Sequence, residues 1–178
     1  MANNIKEFNA RWSMFNWILT IFIGWLVFVF IPYSIFDRIA KASPDNEMAI
    51  SFAVLIGLIP VIFLLAIFFA PIKYRITESE ILVKRLGPDV VIPIKNIKDI
   101  RRVDKQAVGF CLRTWGVGGF CGSYGRFYSF KLGEFRGYLT NRENLIFIKT
   151  SNNENVMISP EKPDEFLDIV AKTQDHPA

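Results

Sequence analysis

Two long stretches without a charged residue constrain this chain more than any other feature. The first runs from Trp12 to Phe36, between Arg11 and Asp37, and the second from Met48 to Ile72, between Glu47 and Lys73. Each is 25 residues, or about 38 Å as a helix, against a hydrocarbon core of roughly 30 Å. Core helices of soluble proteins rarely stay uncharged beyond ~14 residues. A cleaved signal sequence, for which Ala40-Lys41-Ala42 would offer small residues, has an apolar region of only about 7–15 residues. Two transmembrane helices are therefore expected, spanning about 12–36 and 48–72, with residues 1–72 forming a membrane hairpin.

Composition agrees. Hydrophobic residues make up 51% of the 178 residues, and ten of the 17 Phe precede residue 70. So much apolar surface excludes a disordered chain, and two Cys exclude a disulfide scaffold. Trp12 and Tyr33 suit the two interfacial belts, Trp25 lies deep enough to pack on the second helix, and Pro60 should kink that helix. Neither run contains an ionisable residue, which argues against a pump or ion-coupled carrier. The flanks outside the hairpin carry Lys6, Arg11, Lys73, Arg75, Lys84 and Arg85, whereas the loop between the runs carries Arg38 and Lys41. By the positive-inside rule both termini should be cytoplasmic, in a multi-pass protein of the cell (inner) membrane.

Residues 73–178 are enough for one small domain with its own core. Strand-like alternation begins at Tyr74-Arg75-Ile76-Thr77 and returns at Ile81–Val83, Val90–Ile92, Ile97–Val103, Val108–Leu112, Leu145–Lys149 and Val156–Ile158. Gly87-Pro88-Asp89 and Ser151-Asn152-Asn153 are turn signals. Eight of the 11 Gly fall between Gly109 and Gly137, and the stretch from Gly116 to Gly125 is expected to be a structural or contact loop with tight bends. Pro163, Asp164 and Glu165 then open a helix with an apolar stripe of Phe166, Leu167, Ile169 and Val170. The fold class is α+β: two transmembrane helices, then a mainly β barrel or half-barrel capped by a C-terminal helix.

The ordered set of Tyr74-Arg75-Ile76-Thr77, Ile92-Pro93-Ile94, Arg113-Thr114, Gly116-Val117-Gly118-Gly119-Phe120, Gly125-Arg126-Phe127, Gly137-Tyr138, Ile146-Phe147-Ile148-Lys149-Thr150 and Ile158-Ser159-Pro160 resembles the bacterial pleckstrin-homology (PH)-like domains that follow short membrane hairpins. The resemblance covers nearly all of residues 73–175. It implies a PH-like barrel and a binding or assembly role, with no catalytic residues to transfer. The basic first hairpin of phosphoinositide-binding relatives is present only as Lys84 and Arg85.

No enzyme chemistry is expected. His176 is the one histidine and is the third residue from the end. Cys111 and Cys121 have neither metal nor redox spacing and no His partners; they are expected to be reduced core or loop residues, a disulfide between them being the lesser alternative. The run from Gly116 lacks the third glycine of a dinucleotide loop and the Gly-Lys-Ser/Thr of a Walker loop. No metal or cofactor is implied.

Charge is uneven: residues 73–142 hold 14 Lys and Arg against six Asp and Glu, whereas residues 143–178 hold three Lys against seven acids. Lys95, Lys98, Arg101, Arg102 and Lys105, extended by Arg113, are candidates for contact with anionic lipid or a partner, although interspersed Asp99 and Asp104 also fit a solvated face. Arg101 and Arg102 should point to opposite faces of a strand. Trp115 and Phe120 are candidates for an exposed aromatic tip. The leading reading is a membrane-anchored PH-like binding or scaffolding module that recruits a protein partner or anionic lipid. Alternatives are a structural subunit of an oligomeric membrane assembly, a homo-oligomer included, and an enzyme or transporter component. No nucleic-acid motif is present. The orientation is checked by impermeant thiol labelling from outside: Ser43→Cys should react and Ser151→Cys should not, and the reverse pattern would overturn it.

Overall fold

A computed structural model of the chain describes residues 5–10, 14–41, 47–117, 123–141, 143–152 and 154–175. Arg11, Trp12, Phe120, Cys121 and His176 lie outside the described residues. The chain begins with a strand the alternation pattern does not suggest, β1 (Lys6–Asn9). The first apolar run then forms one helical stretch made of α1 (Met14–Trp25), a π-helical turn (Leu26–Phe30) and α2 (Ile31–Lys41). The second forms α3 (Glu47–Phe68), which continues through Pro60.

Among the described residues one helix, Asn16–Asp37, is long and apolar enough to cross a bilayer, and Gly57–Phe68 is a shorter apolar stretch. The expectation of two spans over 12–36 and 48–72 narrows accordingly. The second run does not stay helical to residue 72: α3 ends at Phe68, and Pro71 and Ile72 already belong to β2 (Pro71–Ile76). Trp25, expected to pack on the second helix, is 53% exposed. Its ring meets Phe30, 6.0 Å away in the same helical stretch, and Phe28 makes an edge-to-face contact with Phe63 of α3 at 5.8 Å.

From β2 onward the chain is mainly strand: β3 (Glu80–Arg85), β4 (Val90–Pro93), β5 (Ile97–Val103), β6 (Cys111–Val117), β7 (Ser123–Ser129), β8 (Gly133–Leu139), β9 (Leu145–Thr150) and β10 (Val156–Ile158). A short helix, α4 (Lys105–Val108), links β5 to β6, and α5 (Pro163–Asp175) closes the chain. One sheet has the order β1-β2-β3-β4 and the other β5-β9-β10-β8-β7-β6. Of the loop expected over Gly116 to Gly125, Gly116 and Val117 belong to β6 and Ser123 to Gly125 to β7, whereas 118–122 lie outside the described residues. Gly116 and Gly125 sit opposite each other in β6 and β7 with φ of +113° and +134°. A Cβ on either would come within 2.3 or 2.1 Å of the facing carbonyl oxygen, so both positions exclude a side chain, and periodicity cannot register strands whose rungs have none.

Both faces of the six-stranded sheet carry apolar clusters. The larger cluster lies between the sheets and under α5, with Tyr74, Ile76, Ile81, Ile146, Ile148, Ile158 and Phe166 essentially inaccessible. The smaller joins Val103, Phe127, Phe135, Phe147 and Met157 to Val108 of α4 on the outer face, and half-buried Cys111 packs against it. Burial pushes the Cys111 thiol pKa up, as suits a packed, reduced cysteine. Tyr74 ties the sheets together. Its hydroxyl donates to the Tyr138 carbonyl at 2.7 Å and accepts from the Ser159 amide at 3.3 Å, and burial raises its pKa.

β1 completes the four-stranded sheet. Phe8 stands opposite Tyr74 and its ring meets Phe166 edge-on at 5.2 Å. Glu7 accepts from Arg75 Nε at 2.9 Å and Lys73 Nζ at 3.3 Å; first the Arg75 bond and then the Lys73 bond hold its carboxyl below the usual range. The fold thus draws on residues far outside 73–178. Phe8→Ala should lower stability by about 3 kcal/mol, measured as denaturant unfolding of the full chain in detergent; unchanged stability would show that β1 is not part of the core.

Candidate functional site

The helices meet the domain at one end, the root. The Ala10 amide donates to the Ile72 carbonyl at 3.0 Å, and the Gly87 amide to the Phe68 carbonyl at 2.9 Å. The Tyr124 hydroxyl reaches the Ala66 carbonyl at 2.5 Å, and Asn16 Nδ2 the Thr140 carbonyl at 3.0 Å. The Arg85 guanidinium lies over both Phe69 and Tyr138, 5.6 and 5.7 Å from the ring centres. Strands β7 and β8 therefore have their Tyr124 and Leu139 ends at the root, and their Ser129 and Gly133 ends away from it.

Against this frame the predicted basic residues scatter. Lys95 lies in a single 3-10 turn after Pro93, which pairs with Glu80 at the opposite end of β3 from the root. The six residues of β2 put that end roughly 20 Å away. Lys98 follows at the start of β5, beside Thr150 at the end of β9. Arg101 and Arg102 do point to opposite faces: Arg101 stands beside Phe147 of the outer cluster and Arg102 beside Ile146 of the inner one. Arg102 forks onto both carboxylate oxygens of Asp164 at 3.1 Å, and Arg101 lies 3.7 Å from Asp99. Lys105 is on α4. Arg113 and Trp115 are on β6, at the opposite edge of the sheet from β5, about 24 Å away across five strand spacings. No single surface gathers these residues.

The sheet instead leaves part of its inner face uncovered beside β6. A bulge between Arg113 and Trp115 shifts the register, so that Trp115 pairs with Arg126 and Leu112 with Tyr128. Val117 faces Tyr124 one rung nearer the root. Tyr124 is buried under α3, but Trp115 is 78% exposed and Tyr128 41%. Thr114, Trp115, Arg126, Tyr128 and Glu134 line an open groove of about 610 Å³. A second recess of about 180 Å³ continues it through Arg126 and Glu134 to Arg136, Glu154 and Asn155. Arg136 is matched by Glu154 at 2.9 Å. Among the described residues Arg126 and Glu134 make no ion pair, although both line the groove. Trp115 belongs to the aromatic residues singled out in the sequence; Arg126 and Glu134 do not, because their convergence depends on pairing β7 with β8. Among the described residues no group of three or more His, Cys, Asp and Glu is placed to hold a metal.

The groove brings aromatic faces, a guanidinium, a carboxylate and hydroxyls together on one face of the sheet. No curated protein and no solved structure matches the chain. The family model described as Bacterial PH domain matches residues 72–174, the segment that runs from β2 to the last turn of α5. With two packed sheets and a closing helix over that same segment, the chain belongs to the bacterial PH domain family.

Proposed function

We propose that the chain is a membrane-anchored binding and scaffolding module, in which a helical hairpin holds the PH-like domain against the cytoplasmic face of the membrane to recruit a protein partner or lipid. The observation that carries this reading is the apolar surface of the helices. Only 6% of the most apolar part of Asn16–Asp37 is buried within the protein. Ile18, Ile21, Phe22, Val61, Ile62 and Leu64 are all at least half exposed. Leaving such side chains in water would forgo about 1.5–3 kcal/mol each.

The sheet supports a hairpin rather than a single crossing. β1 precedes the helices, β2 follows them, and the two are hydrogen-bonded neighbours, so the chain leaves and returns on one side. If Asn16–Asp37 crosses, α3 must cross back, and its 22 residues reach about 33 Å. The role is binding rather than catalysis: the family is a recognition fold, and the groove offers complementary surface rather than a nucleophile with its base.

Fractionation tests the anchor. The full chain should stay with membranes through a carbonate wash. Ile21→Arg, on an exposed helix position, should reduce insertion, since Arg near a helix centre costs about 2.5–3.5 kcal/mol there. A wild-type chain found in the soluble fraction, or an Ile21→Arg variant that inserts as well as wild type, would contradict the reading.

A further inference from the structure

We infer that the groove between β6 and β8 is a seat for a zwitterionic phospholipid headgroup, with the phosphate on Arg126 and the ammonium between Glu134 and the aromatic rings. The inference rests on the membrane reading above and deepens it by naming the ligand chemistry and the residues.

Depth comes first. The Tyr124 hydroxyl binds the carbonyl of Ala66, inside the last turn of α3, which ends at Phe68. Trp115 and Arg126 are the next inner-face rung out from Tyr124 on β6 and β7, about 7 Å along the strands. The headgroup layer adds roughly 5–7 Å to each side of the hydrocarbon core. A domain rooted at the end of α3 therefore holds this rung at headgroup depth, where an indole has its usual interfacial setting. Tyr128 and Glu134, one rung farther out at about 14 Å from Tyr124, stand on the aqueous side of that layer, toward which a headgroup ammonium extends. Lys95 and Lys98, at the far end, are well beyond the ~8 Å over which exposed charges act in physiological salt.

Charge comes second. Among the described residues, no group forms an ion pair with the groove's Arg126 or Glu134. Tyr128 pairs with Glu134 in β7 and β8, so Arg126, two residues along, is the diagonal neighbour of Glu134, about 7–8 Å away. That is room for a ligand bearing both charges joined by a short ethylene link, with the groups reversed in order. Arg is the side chain suited to planar, bidentate phosphate contacts, and a carboxylate flanked by aromatic faces suits an ammonium through ion pairing and cation–π attraction. An anionic headgroup without an amine would satisfy Arg126 but would meet Glu134 as a like charge. The groove volume, about 610 Å³, is in the range of small-ligand sites, and Trp115, 78% exposed, is free to lie against the glycerol and upper acyl carbons.

The test uses the full chain in detergent, mixed with equal amounts of phosphatidylethanolamine and phosphatidylglycerol of identical acyl chains, with retained lipid read by native mass spectrometry. Wild type should retain the ethanolamine lipid several-fold over the glycerol lipid. Glu134→Gln should abolish that preference, Arg126→Gln should lower retention of both lipids, and Lys98→Gln should behave as wild type. Equal retention by wild type, or a preference that survives both groove substitutions, would overturn the inference. Failure of the anchor itself is seen separately in the carbonate wash, so a protein that stays in the membrane without headgroup preference refutes the seat alone.

Discussion

The pairing of β1 with β2 is the constraint on which the rest of the structure depends. Glu7 and Arg75, joined across this pair, are 68 residues apart in sequence, and both helical segments lie between them. Closing so long a loop costs entropy that grows only slowly with length. The contact that closes it is well supplied: Phe8 lies against Tyr74 and Phe166 in the main core, and Glu7 bridges two basic side chains. Once β1 is in place, the beginning of α1 and the end of α3 are held at the same corner of the domain. The helices become an insertion into a sheet, attached to the domain at both ends through the β1–β2 pair and the contacts at the root.

With the root as reference, strand register sets how far each surface residue stands from the helices. Sequence places Lys95, Lys98, Arg101, Arg102 and Lys105 within eleven consecutive positions just after the apolar runs. Folding sends Lys95 and Lys98 away from the root, gives Arg102 to Asp164 and sets Arg101 near Asp99. A strand rises about 3.3 Å per residue, so a cluster in sequence is not a patch in space. The exposed face of β6 and β7 begins one rung from the root with Trp115 and Arg126 and reaches Glu134 a rung farther out, and among the described residues neither Arg126 nor Glu134 has an ion-pair partner.

Much of the fold was legible, and the failures have physical causes. Strands with alternating β-branched residues, such as Ile81 to Val83 and Leu145 to Lys149, announced themselves, as did α5 through Pro163 and its acidic first turn. β7 and β8 did not. Gly125 and Gly137 interrupt the alternation, and each is required by a close approach, Gly125 to the Trp115 carbonyl and Gly137 to the ring of Phe127. β1 is four residues long with a single buried side chain, Phe8, and a strand whose partner lies beyond two helices leaves almost no local signal. The groove inherits the same blindness: Trp115 stands out by residue type, whereas Arg126 and Glu134 become neighbours only through the register of β7 on β8.

The most direct test of the account is a cross-link between β1 and β2 in isolated membranes. Asn9 and Lys73 are register partners, and antiparallel partners have Cα separations of about 4.5–5.5 Å, within disulfide range. With Asn9→Cys and Lys73→Cys in one chain, mild oxidation should form an intramolecular disulfide rapidly in membranes from cells expressing the full protein. A Leu82→Cys, Arg75→Cys pair between β2 and β3 serves as the positive control. Cross-linking of the control without cross-linking of the β1–β2 pair would mean that the chain does not return to its starting point, and the account of a sheet closed around a helical hairpin would be wrong.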